Sequence, residues 1–99
     1  GSQPAALVLS PDEKLLYVLV KGESKFVVID LSSGTIIDSC QVGPEAEGIA
    51  LSNDGKRIFV SDNLEGNVRI FTTDSMQLQK TIDVGINPNS MVYVKNNIF

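Results

Sequence analysis

The side chains that usually carry out chemistry in proteins are scarce in this sequence. Its 99 residues include one cysteine, Cys40, and no histidine. An internal disulfide, a Cys/His zinc site and a histidine acid–base catalyst are therefore excluded for this chain. Cys40 lies in a predicted closing strand and aligns with Ile82 of the second copy, which favours a small buried side chain over the alternative of a reactive thiol. We expect no catalytic residue, and no enzyme active site, within this segment.

The carboxylates are the other groups that could bind a ligand, and they fall into two sets. Three aspartates occupy predicted turns, where a short carboxylate can bond to nearby backbone: Asp12, Asp54 and Asp74. Four more acidic residues give the second half of the chain an acidic surface: Glu45, Glu47, Asp62 and Glu65. Neither set has the spacing of an EF-hand loop. We interpret the first set as turn-forming and the second as a solvated face, and we predict no metal or cofactor site.

Two glycines, Gly43 and Gly85, each follow one apolar strand and precede the next segment. A glycine in such a place can adopt a backbone angle that other residues avoid, or it can let a phosphate approach the backbone. No glycine-rich loop opens a helix here, so we expect both glycines to serve an unusual backbone angle.

The net charge limits the partners of the chain. It is formally −4, and the eight basic residues are scattered along the chain without a basic cluster, which argues against a nucleic-acid partner. No apolar run approaches the roughly 18 residues that a membrane-spanning helix needs. Gly1 and Ser2 are typical of an expression-tag remnant, so the sequence leaves the compartment open.

The sequence segments expected to position these residues occur twice in the chain. Sliding the chain by 42 places residues 5–43 on 47–85 without a gap and with nine identities. The matched structural positions pair as Asp12 with Asp54, Tyr17 with Phe59, Val18 with Val60, and Gly43 with Gly85. A third copy begins near Asn87 and stops within a strand. We divide the chain into a tag remnant at 1–2, a first repeat at 3–43, a second at 44–85 and the start of a third at 86–99.

Each copy reads as four strands separated by turns. The strands predicted in the first copy are 5–9, 15–20, 26–31 and 35–42, and those in the second are 48–51, 57–61, 67–71 and 77–84. Runs such as LLYVLV and FVVI are apolar at successive positions, which is typical of strands covered on both faces. The sequence therefore predicts an all-β fold of β-propeller blades, each a four-stranded antiparallel meander. Val18 and Val60 are expected in the central, fully covered strands.

Three segments carry a resemblance to a known family: SPDEKLLYVLV, SKFVVIDLSSGTIIDSCQVG and SNDGKRIFVSDNLEGNVRIF. They resemble the YVTN propeller repeat, with a Pro-Asp-Gly turn, a Tyr-Val strand, a Thr-Gly turn and a closing Val-Gly. The chain departs from that pattern at Glu13, Lys25 and Thr72. The resemblance implies a propeller, and it favours a periplasmic or extracellular location without excluding the cytoplasm. It also extends to the propellers of quinoprotein amine dehydrogenases and lactonases.

The number of blades sets the functional expectations. Closed propellers hold about four to eight blades, whereas this chain supplies two and the first strand of a third. We expect a segment of a longer propeller that serves as a non-catalytic scaffold for other proteins or small ligands. Part of a propeller enzyme and an engineered, self-assembling fragment are the alternatives. In each case uncovered blade faces or strand edges predict self-association. Four asparagines are expected at blade edges, where they could line one mouth of the channel: Asn63, Asn67, Asn87 and Asn89.

Overall fold

The computed structural model describes residues 4–85 and contains eight β-strands. They are β1 (Pro4–Leu9), β2 (Leu15–Val20), β3 (Lys25–Asp30), β4 (Thr35–Gln41), β5 (Ala46–Leu51), β6 (Arg57–Asp62), β7 (Asn67–Thr72) and β8 (Leu78–Asp83). Within residues 4–85 no helix is long and apolar enough to cross a membrane.

The strands form two separate antiparallel sheets, β1-β2-β3-β4 and β5-β6-β7-β8. Each sheet is a meander in which neighbours in sequence are neighbours in space. The all-β prediction of four-stranded blades is therefore confirmed. The predicted first strand of a third blade, with Asn87 and Asn89, lies outside the described residues.

The two sheets repeat each other down to their irregularities. The register shift between Val28 and Ile29 in β3 recurs between Ile70 and Phe71 in β7, where the sequence offset predicts it. In both sheets the outer strand carries one extra residue at this point, a β-bulge that bends and twists the strand. We call the sheet of β1–β4 blade 1 and the sheet of β5–β8 blade 2.

The apolar core lies between the two blades. Blade 1 contributes Tyr17, Leu19, Phe26 and Val28, and blade 2 contributes Ile58, Val60 and Phe71. The rings of Phe26 and Phe71 meet edge to face with centroids 5.6 Å apart, a favoured aromatic geometry. The strands β1 and β5 lie next to each other across this junction, as the inner strands of adjacent propeller blades do.

Val18 and Val60 both lie in the second strand of their blades, as expected, and are 9% and 1% exposed. Val60 belongs to the core between the blades. Val18 pairs with Leu7 and Val27 on the opposite face of blade 1 from Tyr17.

Turns occupy matching places but differ in residue type. Within residues 4–85, three residues other than glycine have positive φ, and each aligns with a positive-φ glycine in the other copy: Glu13 with Gly55, Ser24 with Gly66, and Met76 with Gly34. The backbone of each turn is thus kept even where the sequence has lost the glycine that suits it.

Candidate binding face at the blade junction

The connections β2–β3, β4–β5 and β6–β7 emerge at one end of the blades. The strand pairings place Val20 beside Lys25, Lys25 beside Gln41, and Ala46 beside Asp62 at this end. A cleft of about 120 Å³ opens between the β2–β3 turn and the β4–β5 connection. Residues of both segments line it, among them Val20, Lys21, Gly22, Ser24, Gly43, Pro44 and Glu45. We call this end of the molecule the junction face.

Asp62, at the end of β6, is the most unusual residue of the junction face. Its side chain is buried, and the residue is 0% exposed. The Oδ1 atom accepts a hydrogen bond of 2.9 Å from the amide of Glu65, and Oδ2 accepts one of 3.2 Å from the amide of Glu45. The prediction that Asp62 belongs to a solvated acidic face is wrong, because backbone amides from two connections surround the carboxylate.

Arg69 on β7 provides the counter-charge for Asp62. Its Nη1 lies 3.9 Å from Asp62 Oδ2, and its Nη2 forms a short ion pair with Glu65 Oε1. Among the described residues, Arg69 Nη1 and the Oδ1 of buried Asn67 have no hydrogen-bond partner. The guanidinium therefore joins a buried carboxylate to an exposed one.

Gly43 is buried against this ion pair. A Cβ at residue 43 would lie 2.8 Å from Asp62 Cγ, and it would overlap Asp62 Oδ2 and Arg69 Nη1. The φ angle of Gly43 lies outside the left-handed region, whereas Gly85 has φ of 103°. The predicted unusual backbone angle is thus present at Gly85 and wrong for Gly43, where close packing requires the glycine.

The other acidic residues of the junction face are exposed. Glu45, Glu47 and Glu65 are accessible to solvent, as the sequence predicted. Asn63 donates a hydrogen bond of 2.9 Å from Nδ2 to Glu47 Oε1. Asn63 and Asn67 both lie at this end, but Asn67 is buried rather than exposed.

Asp12 and Asp54 build identical turns at the opposite end of the blades. Ser10 Oγ donates to Asp12 Oδ1 over 2.7 Å, and Ser52 Oγ donates to Asp54 Oδ1 over the same distance. The amide two residues further on also donates to each carboxylate. The hydroxyl, and next the amide, hold the pKa of both carboxyls below the ordinary value of 3.8. Asp74 is exposed in the turn before β8.

The surroundings of Cys40 and Tyr17 disfavour the ionised forms of both side chains. Cys40 is half-buried on β4, with Sγ 3.7 Å from the carbonyl oxygen of Met76. Burial, and next the charge of Asp38, raise the pKa of the thiol. Burial raises the pKa of Tyr17 in the same way. Since the thiolate is the nucleophilic form of cysteine, the surroundings of Cys40 disfavour a reactive thiol. In the part of the chain that the structure describes, no three side chains of the metal-ligating kinds come together.

The repeat alignment carries a signal for the Asp62–Arg69 pair that residue type alone does not. The offset of 42 places Asp62 on Val20 and Arg69 on Val27, two strand positions that are apolar in the first copy. Opposite charges at two such positions indicate a buried ion pair more strongly than a solvated surface.

Comparison with known proteins supports the fold. The sequence model described as the cytochrome D1 heme domain matches residues 4–91. Antigen Lp49 of Leptospira interrogans is 28% identical over 86 residues, covering 73% of this chain and 19% of Lp49. Hydrazine synthase of Kuenenia stuttgartiensis superposes with a TM-score of 0.81 at 22% identity, covering 86% of this chain and 24% of that one. For AztD of Citrobacter koseri the TM-score is 0.77 at 24% identity, with coverage of 88% and 25%.

Because the structural matches are under 25% identical, these likenesses establish the β-propeller fold alone. The chain spans about a fifth of Lp49 and about a quarter of the two structures. The prediction of a propeller repeat protein is confirmed, while the narrower resemblance to YVTN repeats stays a prediction.

Proposed function

This chain belongs to the family of the cytochrome D1 heme domain, and we propose that it forms two consecutive blades of a larger ring and acts there as a binding scaffold. The observation that carries this proposal is an uncovered apolar face on blade 1.

Equivalent residues of the two blades have different surroundings. Ile49 and Leu51 of β5 pack against the core between the blades. Their counterparts in β1 are Leu7 and Leu9, which are 60% and 42% exposed. Since the repeat places the same kind of side chain at these positions, the face of blade 1 that carries Leu7 and Leu9 is built to meet another blade. A preceding blade would cover it as blade 1 covers Ile49 and Leu51.

The scaffold role follows from the chemistry of the described side chains. Burial raises the pKa of the Cys40 thiol and of the Tyr17 phenol, which disfavours a nucleophilic or basic role for either side chain. The Asp62 carboxylate accepts hydrogen bonds from the amides of Glu45 and Glu65, and Arg69 pairs with Asp62 and Glu65, so these charges serve structural contacts. The cleft of the junction face, with its exposed Lys21, Glu45 and Glu47, suits recognition of a polar partner.

The family name implies a heme d1 group, and the described residues do not fit the role of its axial ligand. Proteins hold heme iron through histidine, cysteine, methionine or tyrosine. The 99 residues contain no histidine. Tyr17 is enclosed in the core and Met76 packs against it. Cys40 lies on an outermost strand, where burial raises the pKa of its thiol and so disfavours the thiolate that would bind iron. In our proposal residues 4–85 form part of the ring wall, and any axial ligand to iron comes from outside these described residues.

The competing function is part of a propeller enzyme, and the likeness to hydrazine synthase favours it. In that case other blades supply the reacting groups and this segment shapes their surroundings. Neutral substitutions of Lys21, Glu45 and Glu47 in the full-length protein distinguish the two roles. A scaffold predicts weaker partner binding with no change in any turnover number, whereas a reduced kcat at saturating substrate would favour the enzyme.

The ring itself is tested by charging the uncovered face. In the full-length protein, the double substitution of Leu7 and Leu9 by glutamate should abolish the folded ring, measured by the cooperative thermal transition. Leu64→Glu is the matched control, since Leu64 is 65% exposed in the β6–β7 turn. If the double variant melts as the control does, no blade covers this face.

We also place the full-length protein outside the cytoplasm, as the resemblance of its repeats favours. Lp49 is named as an antigen, which accords with such a location. Cell fractionation against periplasmic and cytoplasmic marker proteins tests this, and recovery with the cytoplasmic marker would contradict it.

A further inference from the structure

The second blade carries a pair of opposite charges where the first blade is apolar. Asp62 and Arg69 align with Val20 and Val27. Val27 is buried and Val20 is half-buried, so valine is fully compatible with this place in a blade. The charged pair of blade 2 therefore has a role beyond completing the strands.

Asp62 uses its two oxygens on two different segments. Oδ2 accepts from the amide of Glu45, which belongs to the connection that leaves blade 1. Oδ1 accepts from the amide of Glu65, in the β6–β7 turn of blade 2 itself. A single buried carboxylate thus ties the incoming connection to the blade that follows it.

Gly43 fits this arrangement from the other side. Its missing side chain leaves the space that Asp62 Oδ2 and Arg69 Nη1 occupy, and any Cβ at residue 43 would overlap both atoms. The glycine and the ion pair are complementary in shape, so a side chain at residue 43 would displace the ion pair.

We propose that Asp62 and Arg69 form a lock that fixes the β4–β5 connection on blade 2 and thereby positions one wall of the junction-face cleft. Residues 43–45 of this connection line the cleft. Blade 1 has valines at both positions, so its own free face carries no such lock. The junction between blades 1 and 2 is therefore specified by a polar contact in addition to apolar burial, and Asp62 acts as a positioning residue for the cleft.

Replacement of Asp62 by asparagine gives the sharpest test, because asparagine has one acceptor oxygen where aspartate has two. Asp62→Asn can satisfy the amide of Glu45 or that of Glu65, but not both. In the 99-residue chain we expect amide hydrogen exchange to accelerate at least tenfold at one of these residues and to change less than threefold at the other.

Asp54→Asn is the matched control, since Asp54 receives both of its turn hydrogen bonds on Oδ1 alone. It should leave exchange at Glu45 and Glu65 unchanged. Unchanged protection of both amides in Asp62→Asn would overturn the proposal.

A second measurement tests the fit of Gly43 and does not depend on Asp62→Asn being folded. Gly43→Ala should raise the equilibrium constant for unfolding at least tenfold in the natural sequence. With Asp62→Ala and Arg69→Ala present, the space is free and the same change should cost less than threefold. An equal effect of Gly43→Ala in both backgrounds would show that the glycine and the ion pair are independent, and would overturn the proposal.

Discussion

Serine and aspartate at two matching turns show how individual residues stabilise this fold. The same hydrogen bonds form in both turns, between Ser10 and Asp12 and between Ser52 and Asp54. In each, the serine hydroxyl donates a hydrogen bond to the carboxylate and accepts one from the amide five residues after the serine. Such local bonding favours the turn over competing backbone conformations. The two turns are alike because the same residues recur at the same spacing.

The depressed pKa values of Asp12 and Asp54 predict a pH dependence. A carboxyl whose pKa is lower in the folded state stabilises the fold above its unfolded pKa, and this contribution is lost as the pH falls through the folded value. We expect the urea midpoint to decline as the pH is lowered from about 4. The double variant Asp12→Asn/Asp54→Asn should make this decline shallower without removing it, because hydrogen bonds from Ser32 also lower the pKa of Asp30. An unchanged decline would contradict the prediction.

Val60 provides the strongest prediction for a single buried side chain. It is 1% exposed in the core between the blades, so Val60→Asp would bury a charge without a partner. We expect a loss of about 3 kcal/mol or more in the free energy of unfolding, measured in urea. Gln41→Asp, on an exposed strand position, is the control and should change stability little. A neutral Val60→Asp would mean that the two blades do not pack as described.

At the scale of the elements, the turns keep their backbone while changing their residues. Glu13 has φ of 62° where Gly55 has φ of 72° in the second copy. A left-handed conformation is costly for a residue with a Cβ and costs glycine nothing. The second copy therefore has the better residue at this turn.

Glu13→Gly should stabilise the chain by up to about 1 kcal/mol, because relief of left-handed strain outweighs the extra entropy of glycine in the unfolded state. Lys21→Gly is the control, since Lys21 is exposed in a turn but has no positive φ. It should destabilise. Equilibrium unfolding in urea measures both, and a destabilising Glu13→Gly would show that the turn is not strained.

How far the sequence predicts the structure also differs between elements. The strand β2 begins and ends where the apolar run predicts, and the bounds of the others move by at most two residues. β5 begins at Ala46 rather than at residue 48. Its first residues are small or polar and give no apolar strand pattern, although Ala46 packs in the core between the blades. The burial of Asp62 could not be read from residue type, because it depends on amides brought together by the packing of two blades.

For the whole molecule, the uncovered face of blade 1 predicts association of the isolated chain. Large exposed apolar patches on soluble proteins usually mark contact surfaces. Light scattering at micromolar concentration should give a dimer or larger species, and Leu7→Glu/Leu9→Glu should shift it towards the 10.7 kDa monomer. Leu64→Glu should leave the mass of the associated species unchanged. A clean monomer for the natural sequence would contradict this expectation.

The bulges in the outer strand pairs bear on the kind of assembly that forms. β4 and β8 are the last strands of their sheets. Each contains one bulged residue at the same point that has no partner in the strand register, Ile37 in β4 and Gln79 in β8. A kinked, twisted border is a poor template for adding further strands in register. Growth into fibrils by pairing of these edge strands is thus disfavoured, and copies of this chain should form oligomers of finite size.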